Sequence, residues 1–222
     1  EVKEAWLTGS TKRKGLETLS YRFAFTNELS ATAIWLKAIS VPPGAPATIV
    51  IRDAGRRGSQ AEVSGRVNRG EQVLALDLLF MGDMRAPKVP DFHGFTQFLA
   101  AQGDRPLGME AAQLAAVARW FRTISGRSAV RLEATGMRSQ VIALAAAALH
   151  PGLFSDVVIR EGMTSLRDLT ERPVGYQAAP DLFCLDLYKV VDLDLLAKLA
   201  VPSSIMTMRE AGNSIGSGSG RE

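Results

Sequence analysis

The sequence predicts an α/β protein in which helices flank a mostly parallel sheet and an antiparallel hairpin precedes it. Three observations carry this prediction. Residues 73–79 form an almost continuous apolar run, which is typical of a strand covered by helices on both faces. Residues 109–124 have apolar side chains at spacings of three and four, which indicates a helix. Strand-like and helix-like segments then alternate as far as residue 208, an order that favours a parallel sheet.

The N-terminal hairpin is predicted from the alternation of apolar and polar residues. Its first strand covers residues 18–25 and alternates through Leu19, Tyr21, Phe23 and Phe25. Residues 31–38 form the partner strand. The turn between them falls at residues 26–28, where Asn27 is expected to adopt the left-handed conformation.

The remaining elements follow in chain order. Strands are predicted at residues 47–51, 73–79, 129–134, 155–160 and 203–208, and helices at 59–68, 109–124, 141–149, 182–190 and 193–200. Residues 81–108 are rich in glycine, proline and aspartate and are predicted to form a long loop. The interpretation is one domain over residues 1–211 and a flexible Gly/Ser tail at 212–222.

The composition excludes several classes of function. A chain of 222 residues that is 46% hydrophobic can bury a core without disulfides or metal. A net charge of +3 without a basic tract gives no reason to expect nucleic acid as a partner. The single cysteine, Cys184, excludes paired-cysteine chemistry. No apolar run approaches the roughly 20 residues that cross a bilayer, so no membrane span is expected. No phosphate loop or metal-ligand spacing occurs, so neither a cofactor nor a metal is expected.

The turn that follows the strand at residues 129–134 is the main candidate for chemistry. Serine hydrolases place their nucleophile in a G-x-S-x-G turn between a strand and a helix. Gly136 fits the first glycine of this motif and Gln140 replaces the last, which puts Arg138 at the nucleophile position. A guanidinium stays protonated and cannot act as the nucleophile. Ser139, the next residue, is a candidate nucleophile, and the alternative is a solvent-facing or helix-capping serine.

The other parts of a catalytic triad are harder to assign. Hydrolases with this motif order their triad as serine, acid and histidine, but neither histidine follows the last predicted strand. His93, in the long loop, is the candidate base, whereas His150 is interpreted as a helix-end residue. Ala54 and Gly55 follow the third predicted strand, where their turn could supply oxyanion-hole amides. An ordinary glycine turn is the alternative.

The order of these segments resembles the α/β-hydrolase superfamily and, more narrowly, bacterial carbohydrate esterases of the acetylxylan-esterase type. The resemblance covers roughly residues 47–208 and is carried by residues 73–77, 136–140, 143–149, 150–154 and 192–202. Some proteins of that type have a second hydrolase-like domain that has lost its catalytic residues. This chain resembles such a domain, because Arg138 replaces the nucleophile and Gln140 replaces the closing glycine. The strand and loop that would bring the histidine are also absent.

Three functions stay open at this stage. The first is a non-catalytic domain with a structural, regulatory or glycan-binding role beside a catalytic carbohydrate esterase, in which Arg138 pairs with Asp77 or Asp168. The second is an active serine esterase that acts on acetylated carbohydrate or small esters through Ser139, with His93 or with residues from another chain. The third is a plain interaction module. The resemblance implies an extracytoplasmic bacterial protein, secreted or periplasmic, and a cytoplasmic location also stays open. A missing last strand predicts an exposed sheet edge and hence a homodimer partner.

Overall fold

The computed structural model describes residues 1–85, 92–171, 173–176 and 179–208 and contains one mixed sheet within these ranges. Its strands are β1 (Val2–Arg13), β2 (Leu16–Phe25), β3 (Ser30–Ala38), β4 (Ala47–Arg52), β5 (Gln72–Asp77), β6 (Val130–Thr135), β7 (Phe154–Arg160) and β8 (Ser204–Met208). Its helices are α1 (Gln60–Val67), α2 (Phe92–Ala101), α3 (Pro106–Ser125), α4 (Met137–Leu149), α5 (Asp168–Glu171), α6 (Leu185–Tyr188) and α7 (Leu193–Leu199).

The strand order is β1-β2-β3-β5-β4-β6-β7-β8. Strands β1, β2 and β3 pair in antiparallel fashion, and β3 is antiparallel to β5. All pairs from β5 through β4, β6 and β7 to β8 are parallel. The predicted fold class is therefore confirmed: an α/β-hydrolase-like sheet with an antiparallel N-terminal hairpin.

Helices α3, α4 and α7 pack on one face of the sheet and enclose the main core. The apolar stripe of α3, which includes Leu114, Val117 and Phe121, is fully buried there. Helix α4 is also buried along most of its length, because its alanine side chains allow close approach to β6 and β7. No helix of the described chain is long and apolar enough to span a membrane.

The opposite face carries α1 and a network of arginine and carboxylate side chains. Val63 of α1 packs there against Val50 and Val73 of the sheet. Next to α1, the buried Glu133 of β6 accepts hydrogen bonds from Arg66 of α1 and from Arg160 of β7. A single carboxylate therefore joins three elements that are distant in sequence.

Glu71 extends this network. Its carboxylate accepts a hydrogen bond from the Thr48 hydroxyl at 2.8 Å and pairs with Arg66 at 3.0 Å. Burial raises the pKa of Glu71, but the bonds from Thr48 and Arg66 outweigh burial, and its pKa is lowered. Burial lowers the pKa of Arg66, whereas Glu133 and Glu71 raise it, and the net direction is upward. Both groups stay charged inside the fold.

Several predicted boundaries differ from the structure. The segment 81–108, expected to be a loop, contains α2 and the first turn of α3, because tertiary contacts between α2 and α3 stabilise a helix that local propensity does not favour. Helix α4 begins at Met137, four residues before the predicted start at 141. In the hairpin turn, Glu28 has the positive φ of 62° that was expected for Asn27. The tail at 212–222 lies outside the described residues.

Candidate functional site

The chain turns from β6 into α4 at Gly136, whose φ is 104°. In a serine hydrolase the strained residue of such a strand-to-helix turn is the nucleophile. Here that residue is Gly136, which has no side chain, whereas Arg138, which the motif spacing placed at the nucleophile position, lies in the first turn of α4. A Cβ atom at position 136 would also overlap the carboxyl group of Asp53, so both the backbone conformation and the available space require glycine.

Asp53 follows β4 and places its carboxylate at the N-terminus of α4. Its Oδ1 accepts a hydrogen bond from the Ser139 amide at 2.7 Å, and its Oδ2 accepts one from the Arg138 amide at 3.1 Å. Free amides and the helix dipole make a helix N-terminus a site for anions. In this chain an internal carboxylate already occupies that site.

Arg138 lies in the first turn of α4 and is buried, with 7% of its surface exposed. Its Nε donates to Asp181 at 2.6 Å, and its terminal nitrogen lies 3.5 Å from Glu110 of α3. The predicted pairing of Arg138 with Asp77 or Asp168 is therefore wrong. The arginine points into the protein between α3 and the turn at Pro180–Leu182.

The two aspartates that were expected to pair with Arg138 have other partners. Asp77, at the end of β5, accepts the Arg56 amide at 2.6 Å and also pairs with the Arg56 guanidinium. Asp168 accepts a hydrogen bond from the Thr164 amide at 2.8 Å. Both carboxylates hold the loops in which they lie.

The charges around Arg138 form a buried cluster with Glu110 and Asp181. Burial raises the pKa of Glu110 well above its ordinary value, and the negative charge of Asp181 raises it further. Burial lowers the pKa of Arg138, but Asp181 and Glu110 outweigh this, so the net direction is upward. The guanidinium thus lies between two buried acidic side chains, Asp181 and Glu110.

Ser139 is fully buried, and its hydroxyl has no hydrogen-bond partner. It is neither the solvent-facing serine nor the side-chain cap that was the alternative to a nucleophile, since α4 has no side-chain cap at its first residue. A nucleophile must reach its substrate, and this hydroxyl does not reach solvent.

Gln140, which replaces the last glycine of the motif, forms two hydrogen bonds to the backbone of Met163. Its Oε1 accepts the Met163 amide at 2.7 Å, and its Nε2 donates to the Met163 carbonyl at 3.0 Å. This pair of bonds fixes the loop after β7 to α4.

The turn at Ala54 and Gly55 does not present a free oxyanion amide at Gly55. The Gly55 amide donates to the Arg52 carbonyl at 2.7 Å, and the next amide, of Arg56, is bound by Asp77. Gly55 has a φ of 82°, and a Cβ there would overlap the backbone of Gly82. The glycine is required by this close approach of two loops.

The structure does not join the two histidines to the turn at Gly136. His93 is the second residue of α2, and its side chain lies outside the part of the chain that is described. His150 ends α4 and so lies about 20 Å along the helix from Gly136. Burial, followed by the charge of Arg119, lowers the pKa of His150.

Two cavities lie near these groups. One, of about 400 Å³, opens beside the Arg138 cluster, with Asp181, Tyr176 and Phe183 in its wall. The other, of about 480 Å³, lies beside α1 and is lined by Arg52, Arg66 and Arg160, each of which already pairs with a carboxylate. Among the described residues, no group of three or more His, Cys, Asp or Glu side chains is placed to hold a metal ion.

Sequence reasoning missed Asp53, Glu110 and Asp181. Asp53 follows a buried strand that is parallel to β6, which is a signal that it would share a sheet edge with Gly136. Glu110 precedes Leu114 and Val117 at helical spacing, so the sequence could have predicted that it lies on the buried face of α3. Asp181 lies among short turns and gave no comparable signal.

Comparisons with known proteins support the fold. No protein-family model and no curated sequence matches the chain. A protein from Bacteroides fragilis assigned as an acetyl xylan esterase has a TM-score of 0.74 at 13% identity, over 94% of this chain and 63% of that chain. Acetyl xylan esterase 1 from Thermoanaerobacterium sp. has a TM-score of 0.60 at 21% identity, over 90% and 67%.

A glucuronoyl esterase from Solibacter usitatus is similar as well, with a TM-score of 0.63 at 12% identity over 93% of this chain and 67% of that chain. The chain thus spans 63% of the first of these structures and 67% of the other two. The shared architecture is that of α/β-hydrolase esterases. The chain has this fold.

Proposed function

We propose that this chain is a non-catalytic α/β-hydrolase-like domain with a structural, regulatory or glycan-binding role in association with a carbohydrate esterase. One observation carries the proposal: the Asp53 carboxylate occupies the space that the side chain of a serine at position 136 would need. Acyl transfer needs a nucleophile and amides free to bind a developing negative charge. Gly136 provides no nucleophile, and Asp53 binds two amides of α4.

The environment of Arg138 supports the same proposal. Its guanidinium is buried and bound to Asp181 rather than directed toward solvent. Arg138 and Asp181 therefore form a buried ion pair that joins two parts of the domain, at the place where an active site would lie in a serine hydrolase. The structural similarity to acetyl xylan and glucuronoyl esterases supports a carbohydrate-esterase context for such a domain.

Intact-mass spectrometry after incubation with a fluorophosphonate tests the proposal. A reactive serine would attack phosphorus, form an O–P bond and release fluoride, with its proton passing to the solvent. We expect no adduct on the parent chain or on Ser139→Ala, and an adduct on an active acetyl xylan esterase treated in parallel. Acetate release from acetylated xylan should be the same for both forms of this chain.

An adduct on the parent that disappears in Ser139→Ala would overturn the proposal and support an active esterase that uses Ser139. Affinity electrophoresis through a gel containing acetylated xylan then separates the roles within the proposal. Retarded migration would assign a glycan-binding role, and unchanged migration would assign a structural or regulatory one.

A further inference from the structure

Strand β1 forms one edge of the sheet and is long and exposed. It has twelve residues, whereas β8 at the other edge has five. Trp6 is 45% exposed and the adjacent Leu7 is 53% exposed. In the part of the chain that the structure describes, β1 pairs only with β2, so its outer side is free. Long exposed edges are ready sites for pairing with another strand, and short edges discourage it.

Strand β1 has two register shifts against β2, one between Val2 and Glu4 and a β-bulge near its middle, and this bulge divides the rest of the strand into two halves. Before the bulge, Glu4 and Trp6 lie on one face, opposite Ala24 and Arg22 of β2. The register shifts between Leu7 and Gly9. The residues on that same face after the shift, judged by their β2 partners, are Gly9, Thr11 and Arg13. Ala5, Leu7, Ser10 and Lys12 lie on the other face.

Some of the charged side chains along β1 form ion pairs within the chain, and others do not. Lys3 pairs with Glu28 at 3.6 Å, and Lys12 pairs with Glu17 at 3.1 Å. Glu4 and Arg13 are both exposed, and neither has an ion-pair partner within the described residues. An unpaired acid and an unpaired base thus lie on one face, near opposite ends of the strand.

We propose that β1 pairs with β1 of a second copy of this chain, antiparallel about a two-fold axis between Thr8 and Gly9. This register places Glu4 opposite Arg13 of the partner subunit and, by symmetry, Arg13 opposite the partner's Glu4. Residues directly opposite in an antiparallel pair share a face, and opposite charges there stabilise the pair. Self-complementarity of this kind is what a two-fold interface requires.

The same register suits the aromatic residue. Trp6 lies opposite Thr11 of the partner subunit, with the partner's Gly9 and the partner's Arg13 as diagonal neighbours on the same face. Gly9 of the partner subunit leaves room for the indole ring, and the partner's Arg13 brings a cation to its face. The irregular step at Thr8 falls on the axis, where both copies bend together.

Neighbouring registers are worse. A shift of one residue sets Glu4 against the partner's Lys12, which lies on the opposite face. A shift of two residues in one direction sets Glu4 against the partner's Thr11 and Arg13 against the partner's Val2, so the pairing of opposite charges is lost. A shift of two in the other direction sets Trp6 against the partner's Arg13 and leaves Glu4 without an opposite residue in the strand. Charge and face together select the proposed register.

Charge-swap variants and light scattering test this interface, which does not depend on the proposed function. The parent should have a mass near twice 23.9 kDa at micromolar concentrations. Glu4→Arg and Arg13→Glu should each raise the dimer dissociation constant about tenfold, because each dimer contains two copies of the pair. The double variant Glu4→Arg/Arg13→Glu restores opposite charges and should return the constant to the parent value. Lys198→Glu on α7, exposed and distant from β1, should leave the constant unchanged.

Hydrogen exchange gives a second measurement that does not depend on any variant. Protection of the β1 amides should increase with protein concentration, whereas protection of the β8 amides should not. The proposal is overturned by a monomer throughout the concentration range. It is equally overturned by a dimer that both single variants leave intact, or by a double variant that stays as weak as the single ones.

Discussion

Glu110 is a buried residue whose protonation should depend on folding. It is fully buried, and burial, followed by the charge of Asp181, raises its pKa well above the ordinary value of 4.5. The folded protein therefore binds this proton more tightly than the unfolded chain does. Glu110 therefore stabilises the folded protein when it is protonated. This contribution to the free energy of unfolding is fully present below pH 4.5, and it is lost as the pH rises through the pKa that Glu110 has in the folded protein.

Glu110→Gln should remove this pH dependence, because an amide of similar shape has no proton to lose. We expect the free energy of unfolding of the variant to fall less between pH 5 and pH 8 than that of the parent. Urea unfolding at the two pH values measures the difference. Glu171→Gln, at an exposed position, serves as the control and should retain the slope of the parent. Equal slopes for the parent and Glu110→Gln would contradict the prediction.

Arg138→Ala should destabilise the fold strongly. It leaves the Asp181 carboxylate buried without its cation, a change that costs about 3–5 kcal/mol in comparable buried pairs. The double variant Arg138→Met/Asp181→Asn removes both charges and should be more stable than Arg138→Ala alone. Thermal and urea unfolding of the parent, Arg138→Ala and the double variant measure their order of stability. A double variant less stable than Arg138→Ala would show that the ion pair is not the source of the loss.

Residue types at the candidate site were readable from the sequence, but their partners were not. The motif spacing places Arg138 at the nucleophile position, whereas in the structure Gly136 lies at the strand-to-helix turn and Arg138 lies in the first turn of α4. Its partners come from α3 and from the turn at Pro180–Leu182, 28 residues before it and 43 after it in the chain. The pattern of one sequence contains no information on which distant segments are in contact. It therefore could not show which acidic side chains pair with Arg138.

At the scale of elements, Asp53 stabilises the start of α4 from another part of the sheet. Asp53→Ala removes the two hydrogen bonds to the Arg138 and Ser139 amides and should cost about 1–2 kcal/mol of stability. Asp53→Asn keeps one acceptor oxygen but loses the charge that favours the helix dipole, so it should cost less. Urea unfolding measures both. Equal losses for the two variants would assign the effect to the charge rather than to the hydrogen bonds.

Strands β4, β5 and β6 of the parallel sheet were predictable because they are buried on both faces. Strands β4 and β5 are short, mostly apolar runs of the kind expected for interior strands. Strand β1 was missed for the opposite reason: it lies at an edge, most of its residues are exposed, and its bulge breaks the alternation. Helix α2 was missed because glycine and aromatic residues in its sequence weaken local helix propensity.

At the scale of the whole molecule, Glu133 connects the sheet to α1. Its carboxylate joins Arg66 and Arg160, and Arg66 in turn holds Glu71. Glu133→Ala should cost about 3–5 kcal/mol, because the buried Arg66 loses a charged partner. Glu161→Ala removes a half-exposed partner of Arg52 and should cost no more than about 1 kcal/mol. Comparable losses in the two variants, measured by urea unfolding, would contradict a network centred on Glu133.

The close approach of Gly136 and Asp53 also limits which substitutions such a domain can accept during evolution. Replacing Gly136 by serine alone brings its Cβ into the Asp53 carboxyl group, and replacing Asp53 alone leaves two helix amides uncapped. Each single step lowers stability, and only replacing both residues removes the overlap between the two side chains. The two positions are therefore epistatic, and this coupling is a barrier that keeps the present arrangement in place under selection for folding.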